Sequence, residues 1–363
     1  MTVNLLEESG LKPALVYPHV YAAPSLASAS LGILCVLSAQ VLMLCVTGSF
    51  DALAVVLSSA TAAILCDVIE CLYRKSRISV TYATLIQGVT AGLFLPQSYP
   101  PVAVFLMVLI LFLAVRYVAG GSAVAWVNPV AVVVVAAFFT GARFFPAQGI
   151  SAEQLRVPNA ALSLIANGSV PAARFDARIT EFLNGSVFSA FGVSVPQGYV
   201  SLFWDTGAAI PAFRFNFITL VSSVVLISLD FIKPLIPALF LAVYFLLVRY
   251  AGPFFWGGPA GQGDGICAML TGGTLFCALY AVQWYGTVPS SLRGKCLYAS
   301  FAGLAAFCVS GCGTSPAGAA LTVMMANIAA AVIYAKETSD IEKALRRLVL
   351  RQDGADKEEG HHG

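Results

Sequence analysis

From Ser25 to Tyr334 the sequence is a train of apolar runs, interrupted by short polar turns and by one long polar interval. A run of about 20 apolar residues matches the hydrocarbon thickness of a bilayer when it is coiled as a helix. Ten such runs are read here: Ser25–Thr47, Ala52–Tyr73, Val80–Leu95, Val102–Val118, Val124–Thr140, Phe217–Phe231, Pro234–Tyr250, Met269–Trp284, Cys296–Val309 and Pro316–Tyr334. Several are short enough to be tilted, broken or half-spanning. The first follows an acidic stretch (Glu7, Glu8) rather than a basic segment with a cleavage site, so it reads as a retained span.

Hydrophobic residues make up 59% of the chain and charged ones 10%, more apolar surface than a soluble domain of 363 residues could hide. The net charge of +2, with no Lys/Arg cluster interleaved with aromatics, gives no footing for nucleic acid. The expected fold is an all-α polytopic membrane protein with ten transmembrane helices.

An even number of spans puts both termini on one side, and basic residues say which. With the N-terminus in the cytoplasm, fourteen of the twenty Lys and Arg residues fall inside, among them the "YRKSR" turn at Tyr73–Arg77 and the tail cations from Lys336 to Lys357. The expected orientation is N-in and C-in. The chain then divides into a cytoplasmic N-terminal segment (1–24), five spans (25–142), an external loop (143–212), five spans (213–335) and a cytoplasmic charged tail (336–363). The tail opens as a basic amphipathic helix, "IEKALRRLVLRQ".

The two sets of five echo each other. "QGVTAGLFL" at Gln87–Leu95 resembles "TGGTLFCAL" at Thr271–Leu279, and "GGSAVAWVNP" entering the fifth span has a looser counterpart in "GCGTSPAG" entering the tenth. A unit of five spans places its second copy upside down, a five-plus-five inverted repeat, and Gly- or Pro-interrupted segments at matching positions point to a site near the symmetry centre. Non-helical backbone at membrane depth survives only where it lines a cavity or is buried in protein. Gly120, Gly121, Asn128 and Pro129 on one side, with Thr271, Gly272, Gly273, Thr274 and Gly311–Pro316 on the other, are the expected lining. Asn128 can donate and accept, and Pro129 frees a carbonyl by removing a helix donor.

Five stretches carry a resemblance: "YPHV" (Tyr17–Val20), "TLIQGVTAGLFLPQSYPP", "AVRYVAGGSAVAWVNPVAV", "MLTGGTLFCALYAV" and "RGKCLYASFAGLAAFCVSGCGTSPAGAALTVMMANI". In this order the chain resembles the RnfD subunit of the Rnf ion-translocating electron-transport complex and its relative, the NqrB subunit of the Na+-translocating NADH:quinone reductase. The resemblance implies an integral subunit of a redox-driven Na+ or H+ pump in a bacterial inner membrane. Its partners would be the lipid bilayer and other subunits that carry electrons between ferredoxin and NAD. It also implies FMN joined by a phosphoester to a threonine in the outer loop, and in related members a riboflavin. The loop has no Ser-Gly-Ala-Thr; its nearest stretch is "RFDARITEFLNGS", which aligns Thr180 with the flavin-bearing threonine and puts Glu181 where the family has proline. Thr206 in "WDTGAAI" is the other candidate. In the eighth span Val282-Gln283-Trp284 replaces the family's Thr-Asp-Pro.

Other chemistries find little support. His19, His361 and His362 are all terminal, so no Ser/His/Asp set can form. The nine cysteines lie in or near spans, and the pairs Cys66/Cys71 and Cys308/Cys312 each supply only two thiolates, where an iron–sulfur cluster takes four. Asp67 and Glu70 are expected to pair near the interface, Asp230 to pair with Lys233, and Arg116 and Arg249 to snorkel. Three functions stay open on the residues: a flavin-carrying subunit of a redox pump, a stand-alone channel or transporter for a small solute, and a structural subunit that has lost its covalent flavin.

Overall fold

The computed structural model describes residues 24–75, 81–118, 126–147, 156, 160–168, 170–284, 286–311 and 314–359, without the side chains of 344 and 347–359. The described chain is helical with no strand. The first set of helices is α1 (Leu26–Val46), α2 (Phe50–Tyr73), α3 (Tyr82–Phe94), α4 (Pro101–Val118) and α5 (Pro129–Gly141). Three short helices follow, α6 (Ala160–Ala166), α7 (Asp176–Ser186) and α8 (Tyr199–Phe203). The second set is α9 (Asn216–Ser228), α10 (Leu235–Leu246) with its continuation α11 (Gly252–Trp256), the pair α12 (Gly265–Thr271) and α13 (Thr274–Tyr280), α14 (Leu292–Ser310) and α15 (Gly318–Glu359).

Each of the ten expected runs has a helical counterpart, but they are unequal. Six described helices are long and apolar enough to cross a membrane: α1, α2, α4, the α10–α11 rod, α14 and the first part of α15. Helices α3, α5 and α9 have 13 residues each, roughly 20 Å at 1.5 Å per residue, short of a ~30 Å hydrocarbon core. The eighth run is broken into α12 and α13 at Gly272–Gly273. Helix α15 runs without interruption through 335/336, where the charged tail was expected to begin.

The two sets pack alike. In the first, α2 lies against both α3 and α4, α1 against α3, and α5 against α3 and α4. In the second, α10 lies against α12, α13 and α14, α9 against α13, and α15 against α13 and α14. Across the sets α1 meets α9 and α5 meets α15, first with first and fifth with fifth.

Small residues set these distances. A Cβ on Gly92 would lie 2.6 Å from Val56 Cα, and one on Gly303 2.9 Å from the Phe240 carbonyl. Ser59 Oγ donates to Gly88 O at 2.6 Å across the same α2–α3 seam. The glycines of "QGVTAGLFL" therefore serve close packing within an unbroken helix, unlike their counterparts at 272–273.

Between α10 and α11 the chain makes one π turn, Leu247–Ala251. Pro253 has no N–H to give the Arg249 carbonyl four residues back, and the Gly263 N–H takes that carbonyl instead, at 3.2 Å.

Candidate functional site

Among the described residues four polar constructions connect the helices: one around Asn128, two at the end that carries α6–α8, the loop side, and one around Arg116. The first begins at Asn128. This residue is fully buried, and its Oδ1 accepts from Val130 N at 2.9 Å, capping α5. Pro129 at the first helical position needs no partner for the donor it lacks. The Asn128 Nδ2 donates to Ala281 O, the first residue past α13, at 2.9 Å. Beside it the buried Tyr298 hydroxyl donates to Val282 O at 2.8 Å. Two carbonyls at the carboxyl end of a half-helix are thus closed by side chains from α14 and from the start of α5. Asn128 and Tyr298 are both fully buried, so this joint lies inside the bundle.

Asn128 does not meet Thr271–Thr274 directly; Ala281 is seven residues beyond Thr274, about 10 Å along a helix. At the break, Gly273 has φ +65°, and a Cβ there would lie 2.3 Å from the Phe213 ring, which fills that side. Gly272 and Thr274 are buried, and Thr271 Oγ1 donates to Cys267 O at 2.8 Å. Gly120 and Gly121 lie outside the described residues.

At the loop side, residues 204–216 clasp the two sets together. Arg214, only 2% exposed, donates through Nε to Ala208 O, through Nη1 to Ser49 Oγ at the α1–α2 turn, and through Nη2 to Gln97 Oε1 at the α3–α4 turn. Asn216 Nδ2 reaches Leu202 O and Leu270 O. Phe215 between them holds φ +53°, strained for a bulky residue, with its N–H on Asp205 O and its ring against Trp204. Burial pushes the Asp205 carboxyl up, opposed by the Gly207 N–H and by Arg214, and burial lowers the Arg214 guanidinium. Thr206 is half-buried in this clasp. None of Arg214, Asn216 and Gln97 stood out in the sequence. A lone Arg and Asn at the mouth of an apolar run was the available signal.

The other loop-side construction is centred on Asp176, the first residue of α7. Its carboxylate accepts from Gly198 N at 3.0 Å, from Ser201 N at 2.7 Å, from Ser201 Oγ at 2.5 Å and from Thr180 Oγ1 at 3.2 Å. Burial alone would raise this carboxyl, but the bonds from Ser201, Gly198 and Thr180 outweigh it and hold it below the usual range. Thr180 is 3% exposed. A phosphoester on its hydroxyl would remove the O–H donor and set phosphate charge against the buried carboxylate, so Thr180 as placed does not fit that linkage. Arg178 is exposed on another side of α7, and Arg174 is exposed in the turn just before it.

Away from the loop side, Arg116 is 8% exposed and does not snorkel. It donates to Asp67 Oδ1 at 2.5 Å, Glu70 Oε2 at 2.8 Å and Thr84 Oγ1 at 2.7 Å. Asp230 and Lys233 pair as expected. No group of three or more metal-ligating side chains occurs among the described residues.

Residues 15–339 match the family model described as the NQR2, RnfD, RnfE family. No curated protein matches the chain.

Proposed function

Since the chain belongs to the NQR2, RnfD, RnfE family, we propose that it is an integral membrane subunit of an Rnf-type redox-driven ion pump, acting with partner subunits that carry electrons between ferredoxin and NAD. The match over residues 15–339, nearly the whole chain, carries this reading. The paired packing of α1–α5 and α9–α15 supports a five-plus-five repeat of ten crossings, with the short and broken helices as its partial spans. The inverted sense of that repeat and the cytoplasmic placement of both termini belong to the same proposal.

A specific observation favours one form of it. The Thr180 hydroxyl is engaged with Asp176 in a buried network, which supports a subunit that works without a flavin ester at that residue. A flavin bound to a neighbouring subunit would supply the electron chemistry. This chain's own residues then do mechanical and dielectric work: Asn128 and Tyr298 close the end of α13, Arg214 and Asn216 lock the two sets at the loop side, and the apolar helices exclude water.

Deletion of the gene for this chain in its host should abolish ferredoxin-dependent NAD reduction in membranes, and the tagged chain should co-purify with other membrane subunits. Unchanged NAD reduction with loss of uptake of a small solute would favour a transporter instead. No FMN-sized addition should map to Thr180 in the purified chain. An FMN-sized addition that disappears in Thr180→Val would overturn the flavin-free form.

A further inference from the structure

Helix α7 has three faces. Asp176 and Thr180 point into the buried network. At 100° per residue, Ile179, Phe182 and Leu183 fall on an adjoining arc and Arg178 on the arc beyond, with Glu181 furthest round; Arg174 and Phe175 sit in the turn that leads into α7. Phe175, Ile179 and Phe182 are exposed, Phe182 by 69%. Under this arc runs a groove of about 460 Å³ whose walls include Phe175, Ile179, Leu183, Trp204 and Phe217.

Phe217 belongs to the first turn of α9, whose outward stripe continues through Val221 and Val224, both exposed. The groove is therefore continuous with an apolar stripe of a helix packed within the membrane-embedded bundle. Trp204 stands where the two meet, its ring 6.4 Å from Phe217, as expected of an aromatic at a membrane–water boundary. Apolar exposure of this kind on a soluble loop would be a liability. Next to a bilayer, an apolar arc bordered by arginines is the pattern of a helix lying in the interface.

We infer that α7 lies flat in the loop-side leaflet, with phospholipid acyl chains filling the Phe175–Phe217 groove and Arg174 and Arg178 pairing with lipid phosphates. The apolar walls exclude a hydrophilic ligand, and the arginines match the sign of the phosphate layer. This rests only on the chain being embedded in a membrane, not on any part in electron transfer. Lipid here would fix the height of the Asp176 network, and through Asn216 that of α9, relative to the bilayer.

A photo-crosslinking benzoyl-phenylalanine in place of Phe182, in the full chain in its native membrane, tests this. Irradiation should add the mass of a phospholipid to the chain, and the same residue in place of Ala177, on another side of α7, should not. A polypeptide adduct at position 182 would mean that a neighbouring subunit covers the apolar arc above the groove and would overturn the inference. So would the absence of any lipid adduct, or equal adducts at both positions. In R174Q/R178Q the anionic share of the captured lipid should fall several-fold; an unchanged share would overturn the phosphate pairing.

Discussion

The Asn128 side-chain amide donates to the Ala281 carbonyl at 2.9 Å, joining the start of α5 to the end of α13 across 153 positions of sequence. The same side chain caps α5 through Val130 N. One residue thus closes two helix ends that stop inside the bundle, where an unpaired backbone group costs several kcal/mol.

Asn128→Ala should lower stability by about 2 kcal/mol, combining a lost N-cap with a carbonyl left without its donor. Asn128→Ser separates the two parts. Its hydroxyl can still accept from Val130 N, but the shorter side chain cannot also reach the Ala281 carbonyl. The serine variant should therefore recover only the capping part, about 1 kcal/mol, and stay below wild type. Thermal unfolding in detergent reads the three proteins; full recovery with serine would argue against the bond to Ala281.

Much of this architecture was legible because apolar runs of bilayer length have few alternatives. The double glycine at 272–273 marked a real break. What sequence could not supply were partners distant along the chain. Arg116 looked ready to snorkel because its carboxylates lie 46 and 49 residues away. Thr180 looked like an accessible hydroxyl because the other donors to Asp176, Gly198 and Ser201, come 22 and 25 residues later. Gly88 and Gly92 resembled Gly272 and Gly273 in composition, yet only the second pair interrupts a helix, since the first faces the backbone of α2. Close packing and helix breaking use the same residue.

Replacing Asp176 by Ala should free the loop-side helices. It strands the Gly198 and Ser201 N–H groups, at a cost of about 3 kcal/mol. Limited proteolysis between residues 170 and 204 should accelerate while the membrane helices stay intact. The folded carboxyl is held below its unfolded value near 3.9, so its contribution is full above that value and lost as pH falls through the depressed one. The wild-type loop should keep its resistance at neutral and mildly acid pH.

Arg116→Leu should be among the most damaging substitutions, at roughly 3–5 kcal/mol, because it leaves Asp67 and Glu70 without their buried cation. Arg116→Lys should recover little, since an ammonium cannot span two carboxylates and Thr84 with the same planar fork. Neutralising both sides, as Asp67→Asn and Glu70→Gln with Arg116→Gln, should be milder than Arg116→Leu alone. Expression and melting temperature in detergent order the three; a milder Arg116→Leu would mean the pairs contribute little.

Gly273 combines two constraints that can be separated. Its φ of +65° penalises any side chain by about 1–2 kcal/mol, and a Cβ would also run into the Phe213 ring, 2.3 Å away. Gly273→Ala should therefore cost more than the backbone penalty alone. In a Phe213→Ala background the ring is gone and only the backbone part is left, so the same substitution should cost less. The coupling from the double-mutant cycle should be on the order of 1 kcal/mol in the direction of rescue. Additive melting shifts would show that the ring does not press on the break, and that the α12–α13 interruption is held open by glycine conformation alone.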